Sequence, residues 1–338
     1  MHNDRQAGIL GIGIYTPKRK LTNQDLEKMV DTEDEWIVTR TGIRERRIAE
    51  PDQLTSDMAT EAAKKAIADA GINVDEIDLI IVATNTPDML FPATACLVQD
   101  KVGTRKVGAF DLQAGCTSFL YGMVSASQFI VSGFCSRVLL IAAECMSRVT
   151  NWEDRNTCIL FGDAAGAVIM GPVPDGYGIL SSSIRSDGSG AHMLTFPGGL
   201  TQFPASKDTL EKKLHFLHMN GREVFKFAVR NIAECCLDVL EKAGLTRSDL
   251  DFLILHQANL RIIETAAKRL KVPLDKVAVN VDRYGNTSSA TLPLALYESL
   301  QEDKINDGQH IVMSSFGAGL TWGALAMKWY DYRNHTSF

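Results

Sequence analysis

The stretch that decides the fold runs from Asp69 to Val82 and reads DAGINVDEIDLIIV. It closes a helical pattern, turns at a glycine and enters an apolar run with the character of a buried strand. The same arrangement returns in KAGLTRSDLDFLIL, from Lys242 to Leu255. The aspartates that precede the two apolar runs, Asp78 and Asp251, are 173 residues apart in the chain.

Two further matches point to an internal repeat. The strand pattern near Val138 returns near Ile311, again 173 residues later. The turn that contains Cys116 (GCTS) returns around Asn286 (GNTS), 170 residues later. Three matches in the same order at a nearly constant offset predict two copies of one α/β unit, although helix–turn–strand units can also resemble each other by chance. We expect halves at residues 1–175 and 176–338, with the boundary in the loop near residues 172–180.

Strand and helix patterns alternate along the chain, which predicts an α/β fold. The apolar runs are short and do not alternate with polar residues, as expected for strands that are buried on both faces. The predicted strands cover residues 79–82, 107–110, 138–141, 252–255, 277–279 and 311–313. The predicted helices cover 56–70, with Ser56 as N-cap, 117–131, and 221–243, which ends at Gly244.

Composition narrows the classes of function. The 338 residues are 45% apolar and 22% charged, and 35 Lys and Arg against 41 Asp and Glu give a net charge of −6. This balance fits a globular enzyme and argues against general nucleic-acid binding. No signal-peptide core or membrane-length apolar run is present, so we expect a cytoplasmic protein without a membrane segment.

The cysteines and histidines show no convincing metal motif. Seven cysteines is an odd number, none has zinc-type spacing, and most are expected to be reduced and buried. His215 and His218 form an HxxH pair without a further evident ligand, so we predict no metal site.

The glycines at the start of the chain resemble part of a dinucleotide-binding fingerprint. Gly11 and Gly13 have the right spacing, but Thr16 stands where the third glycine belongs. Pro17 interrupts the helix that would follow. We therefore reject a phosphate-binding loop here.

Cys116 is the candidate nucleophile. It lies where a predicted strand turns into a predicted helix, and the free N–H groups and the dipole of a helix start favour a thiolate. A thiolate there could attack a thioester, and its own backbone N–H could hold the oxyanion. A buried core cysteine at a tight turn is the simpler alternative.

His256 and Asn286 are the candidate partners of this cysteine. His256 ends the strand at 252–255, and α/β proteins place ligands at the carboxyl ends of strands. Asn286 occupies the turn equivalent to that of Cys116. A thiol with two neutral hydrogen-bond donors suits acyl transfer followed by decarboxylation of a malonyl thioester, because the donors stabilise the enolate oxygen. A structural histidine and an asparagine N-cap are the alternatives.

The small residues after the last strand could supply a second oxyanion donor. The stretch from Ser315 to Gly323 reads SFGAGLTWG, and such residues let backbone N–H groups approach a ligand closely. An ordinary turn between strands is the alternative.

Taken together, these residues resemble the β-ketoacyl-acyl-carrier-protein synthase III family of the thiolase fold. The resemblance extends over nearly the whole chain. It rests on DEWIVTRTGIR at 34–44, the turn at Cys116, FGDAAGA at 161–167, HQANLR at 256–261, GNTS at 285–288 and FGAG at 316–319. It implies a duplicated thiolase-like α/β fold, with two pseudo-symmetric halves whose buried mixed sheets are sandwiched by helices, and a homodimer.

The resemblance also implies a reaction. Cys116 would take an acyl group from an acyl-CoA primer, and His256 and Asn286 would assist decarboxylation of malonyl-acyl-carrier protein. The enolate would then attack the acyl group, as in the first condensation of type II fatty acid synthesis. The N–H groups of Cys116 and Ala318 would form the oxyanion hole, provided that the backbone at Ala318 accepts a Cβ. No cofactor would be required, since coenzyme A arrives as the substrate thioester.

By the same resemblance, further residues would bind the substrates. Trp36 and Arg155 would sandwich the adenine of CoA, with Thr32, Arg40 and Asn259 holding other parts of it. Phe91 would floor the acyl pocket across the dimer interface. The surface that docks the carrier protein would comprise Lys226, Gln257, Ala258, Leu260, Arg261 and Lys268, together with Arg222, which shares one face of the predicted helix from Gly221 with Lys226. An ordinary solvated helix face is the alternative. The stretch at 199–218 looks longer than in short members of the family.

Two other functions stay open at this point. A thiolase-fold synthase of secondary metabolism would share the chemistry and differ in its substrate tunnel. A hydrolase with a Cys-His-Asn triad would use the asparagine to orient the histidine as a base. A non-catalytic acyl-binding protein is a weaker alternative, since it would not need a thiolate.

Overall fold

The computed structural model describes residues 5–334. Its strands are β1 (Gln6–Tyr15), β2 (Arg19–Thr22), β3 (Glu45–Ile48), β4 (Leu79–Ala83), β5 (Gly108–Leu112), β6 (Val138–Glu144), β7 (Ala164–Val173), β8 (Gly178–Ser186), β9 (Leu194–Thr195), β10 (His218–Met219), β11 (Phe252–Leu255), β12 (His310–Gly317) and β13 (Thr321–Lys328). Its α-helices are α1 (Asn23–Glu27), α2 (Asp34–Thr41), α3 (Thr55–Ala70), α4 (Thr94–Val102), α5 (Ser118–Val131), α6 (Lys207–Glu211), α7 (Gly221–Lys242), α8 (Leu260–Leu270), α9 (Val281–Tyr284) and α10 (Thr291–Gln301). Within 5–334, no helix is long and apolar enough to span a bilayer.

Two mixed sheets form the frame of the molecule. The first has the strand order β1-β7-β6-β4-β5 and the second has the order β8-β13-β12-β11. In both sheets the first two pairings are antiparallel and the third is parallel. The two sheets therefore correspond strand for strand, except that β5 has no counterpart strand.

The helices form three layers around these sheets. α3 packs on the outer face of the first sheet, and α7 and α8 pack on the outer face of the second. α5 and α10 lie between the sheets and share one apolar core with both. The pattern follows from strand geometry, since Ile80 of β4 faces α3 while its neighbour Ile81 faces the central helices. The predicted class, mixed sheets sandwiched by helices, is confirmed.

The sheets occupy separate stretches of the chain. The first uses residues 6–173 and the second uses residues 178–328. This distribution is what two copies with a boundary near 172–180 would give, so it supports our interpretation of a duplication. The division into halves at 175 stays a prediction, and its outermost residues, 1–4 and 335–338, lie outside the described range.

The strand expected at residues 277–279 is absent. Val277 forms only an isolated parallel bridge with Leu253, and Ala278 donates its N–H to the Leu253 carbonyl. The prediction was wrong because a short apolar run does not reveal how many ladder partners the chain will meet. The bridge lies beside β11, where the counterpart of β5 would stand.

The strand expected at residues 107–110 is present but was misjudged in burial. β5 runs from Gly108 to Leu112, and several of its residues are exposed rather than buried on both faces. The reason is its place at the end of the sheet, where β4 is its only neighbour in the strand order.

Helix boundaries were partly predicted. α7 ends as expected, with Gly244 just beyond it at φ +69°. Ser56, in contrast, is not the N-cap of α3, which begins one residue earlier behind Leu54. The carboxylate of Asp57 accepts the Leu54 N–H, and the hydroxyl of Ser56 accepts from Lys101. The carboxylate of Asp88 accepts the free N–H of Ser56 at 2.9 Å, so acidic side chains satisfy the backbone N–H groups at this helix start.

The early glycines have a packing role instead of a phosphate-binding one. A Cβ on Gly13 would lie 2.4 Å from the backbone nitrogen of Ala66, and one on Gly11 would lie 2.6 Å from its carbonyl oxygen. α3 thus rests directly on β1, and only glycine permits that approach. This explains the resemblance to a dinucleotide fingerprint without a nucleotide.

Candidate active site

A cavity of about 1580 Å³ opens between the two sheet units. Cys116, from the unit of the first sheet, and His256 and Asn286, from the unit of the second, all line it, as do Gly317 and Ala318. The structure therefore brings together the three side chains that the sequence singled out. These residues are far apart in the chain, and they meet because α5 and α10 pack together between the two sheets.

Cys116 sits in the turn between β5 and α5, against the end of β12. Gly115 before it has φ +59°, which only glycine adopts without strain. A Cβ on Gly317 would lie 2.3 Å from the Cys116 nitrogen, so the two backbones are in direct contact. The Ser315 hydroxyl donates to the Cys116 carbonyl at 2.8 Å. These contacts fix the nucleophile from both units.

Burial of Cys116 opposes the thiolate that the helix start is expected to favour. Burial raises the pKa of Cys116 to about 12, while the hydroxyl of Ser288 lowers it and the carboxylate of Glu144 raises it further. α5 begins only at Ser118, two residues after the cysteine. Desolvation therefore favours the neutral thiol.

His256 follows β11 and is almost fully buried. Its N–H donates to the Ser314 carbonyl, and its ring Nδ1 lies 2.7 Å from the Thr291 hydroxyl. The edge of the Phe316 ring packs against it, with 5.2 Å between the ring centroids. Burial lowers the pKa of His256 to about 3, so the imidazole is neutral, as the sequence reasoning assumed.

Asn286 is held by backbone hydrogen bonds on both sides. Its N–H donates to Leu160, and its carbonyl accepts from Gly162. Its side-chain Oδ1 accepts the N–H of Ser288 at 2.8 Å. Because the oxygen is engaged in this turn, the amide presents its NH₂ group as a donor. The turn role and the donor role that we weighed as alternatives are therefore compatible.

The backbone at Ala318 accepts a Cβ, as its role in the oxyanion hole would require. Four non-glycine residues in 5–334 have a positive φ, and Ala318 is not among them, so its Cβ is accommodated without strain. A Cβ on Gly115 would lie 2.6 Å from the Ala318 nitrogen. The N–H of Ala318 is thus next to the turn that carries Cys116, where a second oxyanion donor would have to be.

The residues expected to bind CoA are divided. Trp36, Arg40 and Asn259 line the cavity, while Thr32 and Arg155 are not among its lining residues. The guanidinium carbons of Arg40 and Arg155 lie 4.6 Å and 5.1 Å from the centroid of the Trp36 ring. An adenine between Trp36 and Arg155 would need about 7 Å, two stacking contacts of about 3.5 Å. The sandwich therefore requires Arg155 to move.

Asn259 has a structural task as well. Its Oδ1 accepts the N–H of Arg261 and caps α8, and its Nδ2 donates to the Arg40 carbonyl. Thr32 has a buried hydroxyl with no hydrogen-bond partner among the described residues.

Basic residues expected to dock a carrier protein surround the cavity. Arg222, Lys226 and Arg261 line it, and Lys268 is exposed on α8. The guanidinium of Arg261 lies over the Phe225 ring at 5.7 Å from its centroid. Ala258 also lines the cavity, and Leu260 is half-buried.

Gln257 does not lie on the surface, although we expected it to contact the carrier protein. It is 1% exposed, its Nε2 donates to the carbonyls of Leu255 and Ala278, and its Oε1 accepts the Asn280 N–H. Its side chain thus forms hydrogen bonds with backbone groups beside β11, where no further strand pairs. It therefore supports the fold and does not present a docking surface.

Phe91 lies outside the cavity of its own chain. It is 79% exposed, whereas Met89 and Leu90 of the same loop line the cavity. This position leaves Phe91 free to reach another molecule, as the resemblance implies.

The 199–218 stretch forms part of the cavity wall, including Leu200 and Leu217. In the HxxH pair, the Nε2 of His215 meets the Thr209 hydroxyl and that of His218 meets the Lys213 carbonyl. The absence of a metal at this pair stays a prediction.

Sequence reasoning missed three polar residues beside the triad. Thr291 contacts the ring of His256, the hydroxyl of Ser288 lies 3.5 Å from the Cys116 sulfur, and the buried carboxylate of Glu144 contacts Ser288. One signal was available, because Glu144 is the acidic end of the otherwise apolar run VLLIAAE. A carboxylate at the end of a buried strand is itself expected to be buried, and buried carboxylates usually have specific partners.

The chain matches known proteins over nearly its whole length. Two family profiles match, 3-oxoacyl-[acyl-carrier-protein] synthase III at residues 110–188 and the C-terminal region of the same enzyme at residues 240–329. The β-ketoacyl-[acyl-carrier-protein] synthase III of Caldanaerobacter subterraneus is 54% identical over 323 residues, 96% of this chain and 98% of that protein. That of Symbiobacterium thermophilum is 55% identical over 325 residues, with the same coverage.

Solved structures agree. The 3-oxoacyl-[acyl-carrier-protein] synthase III from Aquifex aeolicus superposes with a TM-score of 0.89 at 46% identity, covering 96% of this chain and 100% of that one. The priming β-ketosynthase of the R1128 polyketide pathway gives 0.88 at 37% identity, covering 96% of each chain. From the identity, coverage and cavity together, the chain belongs to the β-ketoacyl-acyl-carrier-protein synthase III family.

Proposed function

We propose that this protein condenses an acyl-CoA primer with malonyl-acyl-carrier protein, giving β-ketoacyl-acyl-carrier protein, CoA and carbon dioxide. This is the initiating condensation of fatty acid synthesis. The observation that carries the proposal is the shared cavity of Cys116, His256 and Asn286. The relatives, at about half identity over nearly full length, bear the name of this enzyme.

In the first half-reaction, the sulfur of Cys116 attacks the thioester carbon of the primer and CoA leaves as the thiol. The carbonyl oxygen becomes negative in the tetrahedral intermediate. The N–H groups of Cys116 and Ala318 are the donors that we assign to it, because both lie at the contact between the two backbones.

In the second half-reaction, malonyl-carrier protein loses carbon dioxide and its enolate attacks the acylated sulfur. We assign the enolate oxygen to His256 and Asn286. The amide of Asn286 has its NH₂ free to donate, since its oxygen is engaged by Ser288. The Thr291 hydroxyl lies 2.7 Å from Nδ1 of His256 and 3.0 Å from the Ser288 carbonyl, and it has one hydrogen to donate. The donor role of His256 requires the tautomer in which that hydrogen is directed to Nδ1 and the ring hydrogen is on Nε2. Neutral donors suit this step, and no cofactor beyond the CoA thioester is needed.

The hydrolase alternative loses support in the structure. In a Cys-His-Asn hydrolase the asparagine orients the histidine. Here Nδ1 of His256 meets Thr291, and the oxygen of Asn286 meets the backbone of Ser288. A role in secondary metabolism keeps one specific observation in its favour, the 37% identity to the R1128 priming ketosynthase.

We infer a cytoplasmic location from the substrates and from the cysteines. All seven cysteines are free, and six of them are buried, with Cys96 as the exposed one. Free thiols in this number fit a reducing compartment.

Replacing the triad residues should separate the two half-reactions. Cys116→Ala should form no acyl-enzyme with any acyl-CoA. His256→Ala and Asn286→Ala should still be acylated, but decarboxylate malonyl-carrier protein at least about 100-fold more slowly, because an oxyanion donor is lost. Intact-mass measurement of the acyl adduct and release of labelled carbon dioxide report the two steps. An acyl group found on another cysteine would contradict the assignment of the nucleophile.

We propose that the carrier protein docks at the basic residues Arg222, Lys226 and Arg261. They line the cavity together with Ala258, in a chain whose net charge is −6. Lys226 is partly neutralised by Glu223, at 2.8 Å, whereas Arg261 rests on the ring of Phe225. Arg261 is therefore the more available charge for an acidic partner.

The Michaelis constant for malonyl-carrier protein should rise with ionic strength, because exposed charges are screened. Arg261→Ala should raise this constant about fivefold, equivalent to about 1 kcal/mol. Lys64→Ala is the matched control, since Lys64 is an exposed base on α3 outside the cavity. Steady-state kinetics at low and high salt measure both. No salt dependence together with no effect of Arg261→Ala would refute the docking surface.

We propose that the protein is a homodimer that pairs through the β5 edge. β5 ends its sheet, so one row of its backbone groups has no strand beside it. Phe110 of β5 is 37% exposed, and Leu90 and Phe91 of the nearby loop are 70% and 79% exposed. The carboxylate of Asp111 joins loop and strand by accepting the N–H of Thr94. A second copy would cover these apolar groups.

Analytical ultracentrifugation should give twice the chain mass of 37.1 kDa. Phe110→Glu should shift the protein toward monomer, because a buried unpaired charge would oppose pairing. Leu274→Glu is the control, since Leu274 is 52% exposed and belongs to the other sheet unit. A wild-type monomer, or equal dissociation by both variants, would refute this interface.

A further inference from the structure

Glu144 is a fully buried carboxylate that the two half-reactions above do not use. It ends β6 and has no exposed surface. None of the ion pairs among the described residues includes it. Burying a carboxylate without a cation is costly, so it requires hydrogen bonds and a reason to be retained.

Hydrogen-bond donors from both sheet units surround this carboxylate. The contacts are the N–H of Asn85 at 3.0 Å, its Nδ2 at 2.7 Å, and the hydroxyls of Thr86 at 2.8 Å, Ser288 at 3.0 Å and Ser289 at 2.7 Å. Donors on every side fit an ionised carboxylate, since a protonated one would turn its hydrogen toward a donor. Glu144 is thus held as an acceptor inside the protein.

Ser288 links this acceptor to the nucleophile. Its hydroxyl lies 3.5 Å from the sulfur of Cys116 and 3.0 Å from Oε1 of Glu144. Ser288 has φ +51°, a left-handed conformation that a non-glycine residue adopts at a cost. The Nδ2 of Asn85 also donates to the Gly115 carbonyl at 3.0 Å, which ties the same network to the residue before the cysteine.

We propose that Glu144 receives the thiol proton of Cys116 through the hydroxyl of Ser288 when the enzyme is acylated. This rests on the proposed function. The Cys116 hydrogen passes to the Ser288 oxygen as the Ser288 hydrogen passes to Oε1 of Glu144. The sulfur then bonds to the thioester carbon, and the bond from that carbon to the CoA sulfur breaks. The CoA thiolate takes a proton back through Ser288, which returns Glu144 to the carboxylate.

Ser288 touches the reacting sulfur and is the catalytic residue of this relay, while Glu144 acts through it. Different residues of the cavity therefore serve the two half-reactions. His256, which is neutral and engaged at Nδ1 by Thr291, serves the malonyl half-reaction. Ser288 and Glu144 serve the acylation half-reaction, where a neutral buried thiol must lose its proton at the moment of attack.

If Glu144 acted only through its charge, its effect on the acylation rate would be opposite to that of a proton acceptor. Its negative charge raises the pKa of Cys116 and so disfavours the thiolate. If charge were its only influence, Glu144→Gln would make the cysteine react faster. If it accepts the proton, the same change makes acylation slower.

The test is the single-turnover rate of acyl-enzyme formation from an acyl-CoA, followed by intact mass between about pH 6 and pH 9. Glu144→Gln and Ser288→Ala should slow acylation about 100-fold near neutral pH, the range of general acid–base catalysis. Their rates should rise about tenfold per pH unit, because hydroxide then supplies the thiolate. Wild-type acylation should depend much less on pH.

Ser289→Ala is the matched control. The Ser289 hydroxyl lies 2.7 Å from the same carboxylate oxygen, and its other hydrogen-bond partner is the Ala83 carbonyl and not the Cys116 sulfur. It should lose less than about threefold in acylation rate. Enzyme that is acylated beforehand separates the two steps: Glu144→Gln and Ser288→Ala should lose much more in acylation than in the later reaction with malonyl-carrier protein, since the relay acts before that reaction.

Faster or unchanged acylation by Glu144→Gln would overturn the relay, as would equal losses in Ser288→Ala and Ser289→Ala. If Glu144→Gln fails to fold, the comparison of Ser288→Ala with Ser289→Ala decides alone. A wild-type enzyme that no acyl-CoA acylates would instead refute the proposed function.

Discussion

The rest of the structure depends on a backbone contact between the two sheet units. The turn at Gly115 and Cys116 lies directly against Gly317 and Ala318, so closely that a Cβ on Gly317 would be 2.3 Å from the Cys116 nitrogen. The Ser315 hydroxyl reinforces the contact by donating to the Cys116 carbonyl. Because both backbones are fixed there, the cysteine meets groups from the distant half of the chain in one defined geometry. A cavity of about 1580 Å³ opens at this contact.

Burial in this cavity affects the charge states of Cys116 and His256. Desolvation raises the pKa of Cys116 to about 12 and lowers that of His256 to about 3. Each shift favours the neutral form of the group. A neutral thiol and a neutral imidazole suit a site that stabilises an enolate by donation. They also mean that the thiol proton needs an acceptor, which is the part that we assign to Ser288 and Glu144.

The sequence revealed the positions of the reacting groups better than their surroundings. The repeat and the ends of apolar strands pointed to Cys116, His256 and Asn286, because backbone topology determines where strand ends meet. Glu144 and Thr291 were missed, since their importance depends on side-chain contacts across the two sheet units. The sequence also did not show how strongly burial opposes a thiolate at Cys116, because the degree of desolvation is a property of the packed molecule.

The availability of the binding residues was also not visible in the sequence. Gln257 lies within the HQANLR motif, yet its amide is consumed by the carbonyls of Leu255 and Ala278, which only the fold brings near. Arg155 is expected to stack on adenine, and in this structure its guanidinium lies 5.1 Å from the centroid of the Trp36 ring, so it has to move to admit a base. Residue type indicated a chemistry in each case, and the three-dimensional neighbours decided whether the group was available.

The most direct test of the account is the protonation state of His256 in the resting enzyme. Nitrogen chemical shifts of ¹⁵N-labelled histidines, with the His256→Ala spectrum for assignment, report it. We predict a neutral imidazole that does not titrate between about pH 5 and pH 9. A His256 signal that titrates near its ordinary value of about 6.5 would contradict the account, because the cavity would then not hold its groups in a desolvated, neutral state.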